Sequence, residues 1–169
     1  NFEPDMSEVL GRGFRCGFLG HLHFEIIAER LKREFNLEII SSFPSVSYRV
    51  KSDKEWIEVK TPKDFPYDYA VAEEPIVHIE IVTPPDYLGS VFQLQNVFHI
   101  KDLSTESFSD YAVVRGSMPL TELVGNFDDK LKSVSSGFAS FSYKLGGYEK
   151  ADLTKLEILV AGDEVPGLL

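Results

Sequence analysis

An α+β fold of two units in the βαββαβ order, the first incomplete at its N-terminus, is what the 169-residue sequence predicts. Three observations carry that prediction. Residues 76–145 alternate between two-residue and 3.6-residue apolar periods in the order strand, helix, strand, strand, helix, strand. Residues 1–50 show only strand, helix, strand in their patterned part. Between them, residues 51–75 turn charged and proline-rich, with Pro62, Pro66 and Pro75, and read as a connector broken by one short edge strand at Trp56-Ile57-Glu58-Val59.

Each element has its own warrant. Phe14, Cys16 and Phe18 alternate with Gly13, Arg15 and Gly17, which predicts a strand with Cys16 pointing into a core. From His21 to Phe35, Leu22, Ile26, Ile27 and Leu31 fall on one helical face, Glu29 and Arg33 are placed for an i,i+4 pair, and Asn36 is the stop. Leu37–Ile40 and Val46–Val50 read as extended segments around Pro44. The second unit opens on Ile76–Val82, with Val77, Ile79 and Ile81 on one face. Thr83 is the expected N-cap of a helix started by Pro84-Pro85-Asp86, which carries Leu88, Val91 and Phe92 inward. Phe98–Thr105 and Asp110–Arg115 form a hairpin. Leu120, Leu123, Val124, Phe127, Leu131 and Val134 trace the next helix, closed at Gly137, and Ala139, Phe141, Tyr143 and Leu145 mark the last strand. The resulting order is ferredoxin-like: two helices on one face of a four-stranded antiparallel sheet. The unfinished first unit marks the chain as a piece of a longer protein.

Composition narrows the function. Lys plus Arg number 17 against 27 Asp plus Glu, a formal net charge of −10, which argues against a surface that wraps nucleic acid throughout. No apolar run approaches the ~20 residues of a spanning helix, and the start lacks the basic residues of a signal peptide. The single cysteine, Cys16, makes no internal disulfide and fits a reducing compartment.

Catalytic signatures are missing from the chain. None of its 12 glycines is followed by lysine, so a phosphate-cradling G-x-x-x-x-G-K-[ST] loop is absent. His21 and His23 diverge at the start of a helix without a third ligand nearby, and His78 and His99 are isolated on extended segments. Adjacent carboxylates, Glu73-Glu74 and Asp128-Asp129, diverge as solvated surface. Two runs, Arg12-Gly13-Phe14 and Gly137–Tyr143, match part of the aromatic RNA-recognition pattern K/R-G-F/Y-G/A-F-V-x-F/Y. They leave open a free-standing ferredoxin-like RNA- or protein-binding module as the alternative.

The run from Gly11 to Ile27, Gly-Arg-Gly-Phe-Arg-Cys-Gly-Phe-Leu-Gly-His-Leu-His-Phe-Glu-Ile-Ile, continuing through Glu29-Arg30-Leu31 and Arg33-Glu34-Phe35, resembles the signature of elongation factor 4, the LepA family of translational GTPases. Leu131-Lys-Ser133, Gly137-Phe-Ala-Ser-Phe141, Gly147-Tyr148 and Asp152-Leu-Thr-Lys-Leu-Glu-Ile-Leu159 resemble a second block of that family. The resemblance implies that residues 1–50 are the later part of domain III, 51–75 a connector, 76–148 domain V and 149–169 the start of the C-terminal domain. It further implies a parent that binds GTP and Mg and hydrolyses GTP on the ribosome. That parent would act in the cytoplasm, in back-translocation of tRNAs, fidelity under stress or ribosome assembly, contact tRNA through its C-terminal domain and associate peripherally with the inner membrane. The fragment itself would bind no cofactor and catalyse nothing. Two departures stand out: His21 replaces a usual Leu, and Phe98-His99-Ile100 stands where the family has Arg-Arg-Gly, removing charge on which local phosphate contacts would rest. Candidate ribosome contacts are Arg12, Arg15, Arg30, Lys32 and Arg33, with Lys130 and Lys132 in the second unit.

Overall fold

The computed structural model describes residues 2–7, 11–18, 20–41, 46–52, 55–61, 64–66, 68–156, 159–161 and 163–164, the side chains of Ser7, His21, Leu159, Val160, Asp163 and Glu164 aside. Pro44, Pro62 and Ile158, as well as the His21 side chain, fall outside the described residues. The chain divides into two compact units, Asn1–Pro44 with Leu156–Leu169, and Ser45–Lys155.

In the first unit, β1 (Phe2–Ser7) pairs antiparallel with β2 (Gly11–Cys16), and helix α1 (His21–Phe35) follows. The period of two is realised in the hairpin: Glu3, Asp5 and Arg15 share one face, while Phe2, Met6, Phe14 and Cys16 share the other. Strand β1 escaped the sequence reading because Pro4 removes a backbone donor. A two-stranded ladder tolerates it, since the outer edge of β1 needs no partner. Cys16 is exposed rather than buried, a correction that holds for the whole apolar side, where Phe14 is 66% exposed. Helix α1 ends at Asn36, whose left-handed φ of 53° and N–H bond to the Leu31 carbonyl close the last turn. Leu37–Ile40 form no ladder, contrary to expectation. The strand expected at Val46–Val50 is displaced along the chain, to β3 (Tyr48–Ser52), and belongs to the second unit.

The second unit is built on β5 (Val71–Thr83), 13 residues long and almost continuously apolar on one face. It is flanked along its length by β8 (Ser140–Ala151) and, from Ile76 on, by β7 (Ala112–Pro119), which pairs in turn with β6 (Lys101–Ser107). The spatial order β8-β5-β7-β6, antiparallel throughout, is the ferredoxin-like sheet. Residues 51–75 are therefore more than a connector. Strand β4 (Glu55–Val59) pairs with β3, and β3 pairs with residues 71–73 of β5, because β5 runs past the end of β7 and leaves an edge to cover. Val50, Val59 and Ala72 form a small core there with Tyr48, Phe65, Tyr69 and Leu153 around it.

The main core joins Val77, Ile79 and Ile81 of β5 to Val114 and Met118 of β7 and to the helical layer. That layer is broken. Thr83 is a buried strand residue and caps nothing: the turn that follows starts one residue later, from Pro84, and the Thr83 hydroxyl donates to the Pro84 carbonyl at 3.3 Å. Pro85–Tyr87 make a 3₁₀ turn, α2 (Leu88–Phe92) lasts five residues, and a further 3₁₀ turn covers Gln93–Asn96. Opposite it, α3 (Leu120–Glu122) leads through a π turn at Leu123–Phe127, kinked at Asn126, into α4 (Asp128–Val134). Leu123, Phe127 and Leu131 are buried as the stripe predicts, but Val124 faces outward, turned away by the π turn. Ser136 and Gly137, at φ 52° and 81°, close α4, with the Gly137 N–H bonded to the Lys132 carbonyl. Strand β8 carries a bulge: Ile76 pairs with Gly147 and Val77 with Leu145, and a side chain at the extra residue, Gly146, would lie 2.7 Å from the His78 ring.

Candidate functional site

All seven candidate cations are exposed, and the ion pairs divide them. Arg15 sits across the β1–β2 ladder from Glu3 and binds Asp5 at 3.0 Å. Arg30 makes a two-pronged contact with Glu34, Nε to Oε1 at 2.9 Å and an Nη to Oε2 at 3.2 Å, which raises the arginine and lowers the glutamate pKa. Arg33 lies 3.9 Å from Glu29, the predicted i,i+4 pair, and Lys132 lies 2.7 Å from Asp128. Arg12, Lys32 and Lys130 carry no such pair among the described residues. Lys32 lies in the last turn of α1, where a cation suits the helix dipole, and Lys130 lies mid-way along α4.

A second set of charges was invisible in the sequence. His99 is clamped by α3: its backbone N–H donates to Glu122 Oε2 at 2.8 Å, and its ring Nδ1 meets Oε1 of the same carboxylate. That bond and the Glu122 charge hold the histidine pKa above its ordinary value. Lys101 binds Glu149 at 3.0 Å. Between them Glu74 is pushed up, first by burial and then by Glu122. The segment Phe98-His99-Ile100 thus buries Phe98 in the core and turns His99 to α3. Residues Gln95 to Lys101 also line a hollow of roughly 330 Å³, which holds no glycine amides to cradle a phosphate. On the sheet face away from the helices, Arg115 binds Glu80 at 2.7 Å and Glu106 at 3.0 Å. Alternation marks these residues as outward-facing, but only the strand register brings them together.

That open face bears on the RNA-recognition reading. His78, Glu80 and Val82 of β5, Arg115 and Ser117 of β7, and Ser142 and Lys144 of β8 occupy it, none of them Phe, Tyr or Trp. The partial RNA-recognition match at Gly137–Tyr143 points the other way, with Phe141 edge-on to Phe127 in the core. Phe14 of the other match packs edge-on against Phe2. With His78 the lone ring among these residues of the sheet, successive bases of a single-stranded RNA find no run of rings to stack on there. Among the described residues no group of three or more His, Cys, Asp or Glu is placed to hold a metal.

A ferredoxin-like domain with a charged open face, and without a catalytic constellation among its described residues, is the class that this geometry defines. Residues 71–159 match the family described as Elongation factor G C-terminus, and the chain belongs to that family. Its relatives bear out the narrower resemblance: it is 46% identical over 171 residues to Elongation factor 4 of Levilactobacillus brevis, across 99% of this chain and 28% of that protein. Elongation factor 4 of Clostridium tetani is 47% identical over 175 residues, again across 99% of this chain and 29% of the other. The chain thus spans less than a third of the length of the curated relatives it matches. A crystal structure of a Thermus thermophilus protein shares the fold at a TM-score of 0.61 and 14% identity, over 89% of this chain and 36% of that one.

Proposed function

We propose that this chain is a non-catalytic, ribosome-facing part of a translational GTPase of the elongation factor 4 kind. One observation carries the reading: identity of 44–47% to proteins of that name, sustained over 99% of the chain. On this reading residues 76–148 correspond to domain V, the hairpin and α1 to the later part of domain III, and 149–169 to the start of the C-terminal domain. GTP and Mg are held by the rest of the parent, and tRNA is met through its C-terminal domain. Its work is cytoplasmic translation, with back-translocation of tRNAs, fidelity under stress and ribosome assembly as the specific tasks. Peripheral membrane association stays outside this reading; no helix among the described residues is long and apolar enough to cross a membrane.

The ion pairs refine the candidate contacts. Arg12, Lys32 and Lys130, without an ion pair among the described residues, offer their charge to phosphates directly, while Arg15, Arg30, Arg33 and Lys132 must first exchange a carboxylate for one. The test is sedimentation of the intact parent with ribosomes across a salt series. Binding that falls steeply with salt, with a slope reduced when Arg12, Lys32 and Lys130 are changed to Gln, supports the reading. A slope that the triple change leaves untouched overturns the assignment of these contacts, and no ribosome binding at any salt overturns the function.

A further inference from the structure

One end of the ferredoxin-like sheet carries two aromatic stacks at its surface, with Tyr87 the half-buried member. Tyr87 and Phe138 lie 5.7 Å apart with their planes 21° from parallel, and Phe108 and Tyr111 lie 4.6 Å apart at 19°. The ladders place both at the same end: Thr83 pairs with Ala112, Val82 with Ser140, and Ala112 with Ser107. Neighbouring strands are about 4.8 Å apart, so the loops leaving β5, β6 and α4 border one another. Phe138 is 66% exposed, Phe108 47% and Tyr111 43%. Inside the core the geometry is different: Phe98 and Phe141 meet Phe127 edge-on, at 74° and 89°. Edge-on contact consumes ring faces, whereas a parallel stack at the surface leaves outer faces available.

The charge at this end selects the occupant. Residues 82–87, 105–112 and 135–140 contain Asp86, Glu106 and Asp110 and neither lysine nor arginine. Glu106 is engaged by Arg115, while Asp86 and Asp110 have no ion pair among the described residues. Carboxylates on the same loops as the rings repel a phosphate backbone and accept a guanidinium, which is planar, weakly hydrated and able to extend a ring stack while pairing with a carboxylate. We propose that this end of the second unit is a docking surface for an arginine-bearing polypeptide segment of a partner protein. The inference stands on the rings and their charges and is independent of the ribosome reading.

The test titrates the isotope-labelled 169-residue chain with a peptide of alternating glycine and arginine, its lysine counterpart and a single-stranded oligouridylate, read by amide NMR shifts. The arginine peptide should shift residues 84–87, 108–111 and 136–138 and bind about fivefold more tightly than the lysine peptide. Phe108→Leu with Phe138→Leu, which keeps apolar bulk but removes ring faces, should bring the two peptides within about twofold, the β5 and β7 amides staying in place. Should that variant unfold, Asp86→Asn with Asp110→Asn should weaken the arginine peptide about threefold. Equal binding of the two peptides, an arginine preference that survives loss of the rings, unchanged affinity in the Asn variant, shifts centred elsewhere, or tighter binding of the oligouridylate would each overturn the proposal.

Discussion

The two units use the same patterns and reach opposite ends. In the first, Phe14 alternates along β2 and Leu22 and Ile26 share the apolar face of α1, yet all three are more than half exposed. In the second, Val77, Ile79 and Ile81 alternate along β5 and Leu123, Phe127 and Leu131 line the facing helices, and all six are buried. A period of two or 3.6 marks which side chains leave water favourably. It does not supply the surface they leave it for. In the second unit that surface is the opposite layer of the same domain, and each apolar side chain there contributes on the order of 1.5–3 kcal/mol by full burial.

The largest effect expected from this contrast is a pair of truncations. Phe127→Ala removes the ring that meets Phe98 and Phe141 and should cost about 3–5 kcal/mol in urea unfolding followed by Trp56, the only tryptophan, which lies in the second unit. Phe14→Ala should leave that transition within about 0.5 kcal/mol. Comparable losses would break the distinction. Glycines sharpen it at a smaller scale. A side chain at Gly116 meets Ile100 Cγ2 at 2.9 Å and the Lys101 backbone oxygen at 3.0 Å, so Gly116→Ala should cost about 1–3 kcal/mol by the same measurement. In β2, Gly13 has no neighbour within 4 Å, and Gly13→Ala should leave the second unit's transition unchanged.

A similar cost, about 1–3 kcal/mol, is expected for Ser135→Ala. Its hydroxyl donates to the Leu131 carbonyl at 2.7 Å and accepts from the Ala139 N–H at 3.1 Å, both in the core, so the change strands a buried donor. The smallest effect is that of pH. His99 and Glu74 both have folded pKa values above their ordinary 6.5 and 4.5, the first through its bond to Glu122 and the second through burial. A raised folded value means stability that is complete below the unfolded pKa and lost as pH rises through the folded one. The Glu74 contribution therefore fades upward from 4.5 and that of His99 upward from 6.5. The urea midpoint of the second unit should fall from about pH 6 to about pH 8, and His99→Gln should flatten that fall. A midpoint that rises over this range in the unmutated chain would contradict the clamp.

How far the sequence could be read follows the same division. The strand, helix, hairpin, helix and strand of the second unit were legible because local period and tertiary burial agree there. Val124 was misplaced because a π turn shifts the phase of a stripe that otherwise holds from Leu120 to Leu131. Thr83 looked like a cap because its hydroxyl and the following prolines fit one, but its pairing with Ala112 keeps it in the strand and the turn starts one residue later, from Pro84. Residues 51–75 were read as linker from their charges, since pairing of β3 with the overhang of β5 is a matter of register between distant segments. The site was less legible still. The cations could be named from the sequence, and Glu29 as the partner of Arg33 with them, but the pairing of Arg15 with Asp5 across the ladder depends on a register that only the fold supplies. The family signature was plain because it runs through Gly11–Ile27 with His21 as the one departure.

Amide hydrogen exchange over the whole chain, resolved by mass spectrometry, tests the central contrast most directly. Amides of β5 and β7 should exchange only through global opening of the second unit, while those of β1, β2 and α1 should exchange at least about a hundredfold faster through local opening. Equal protection of the two units would show that the apolar faces of the first are covered after all, and would contradict it.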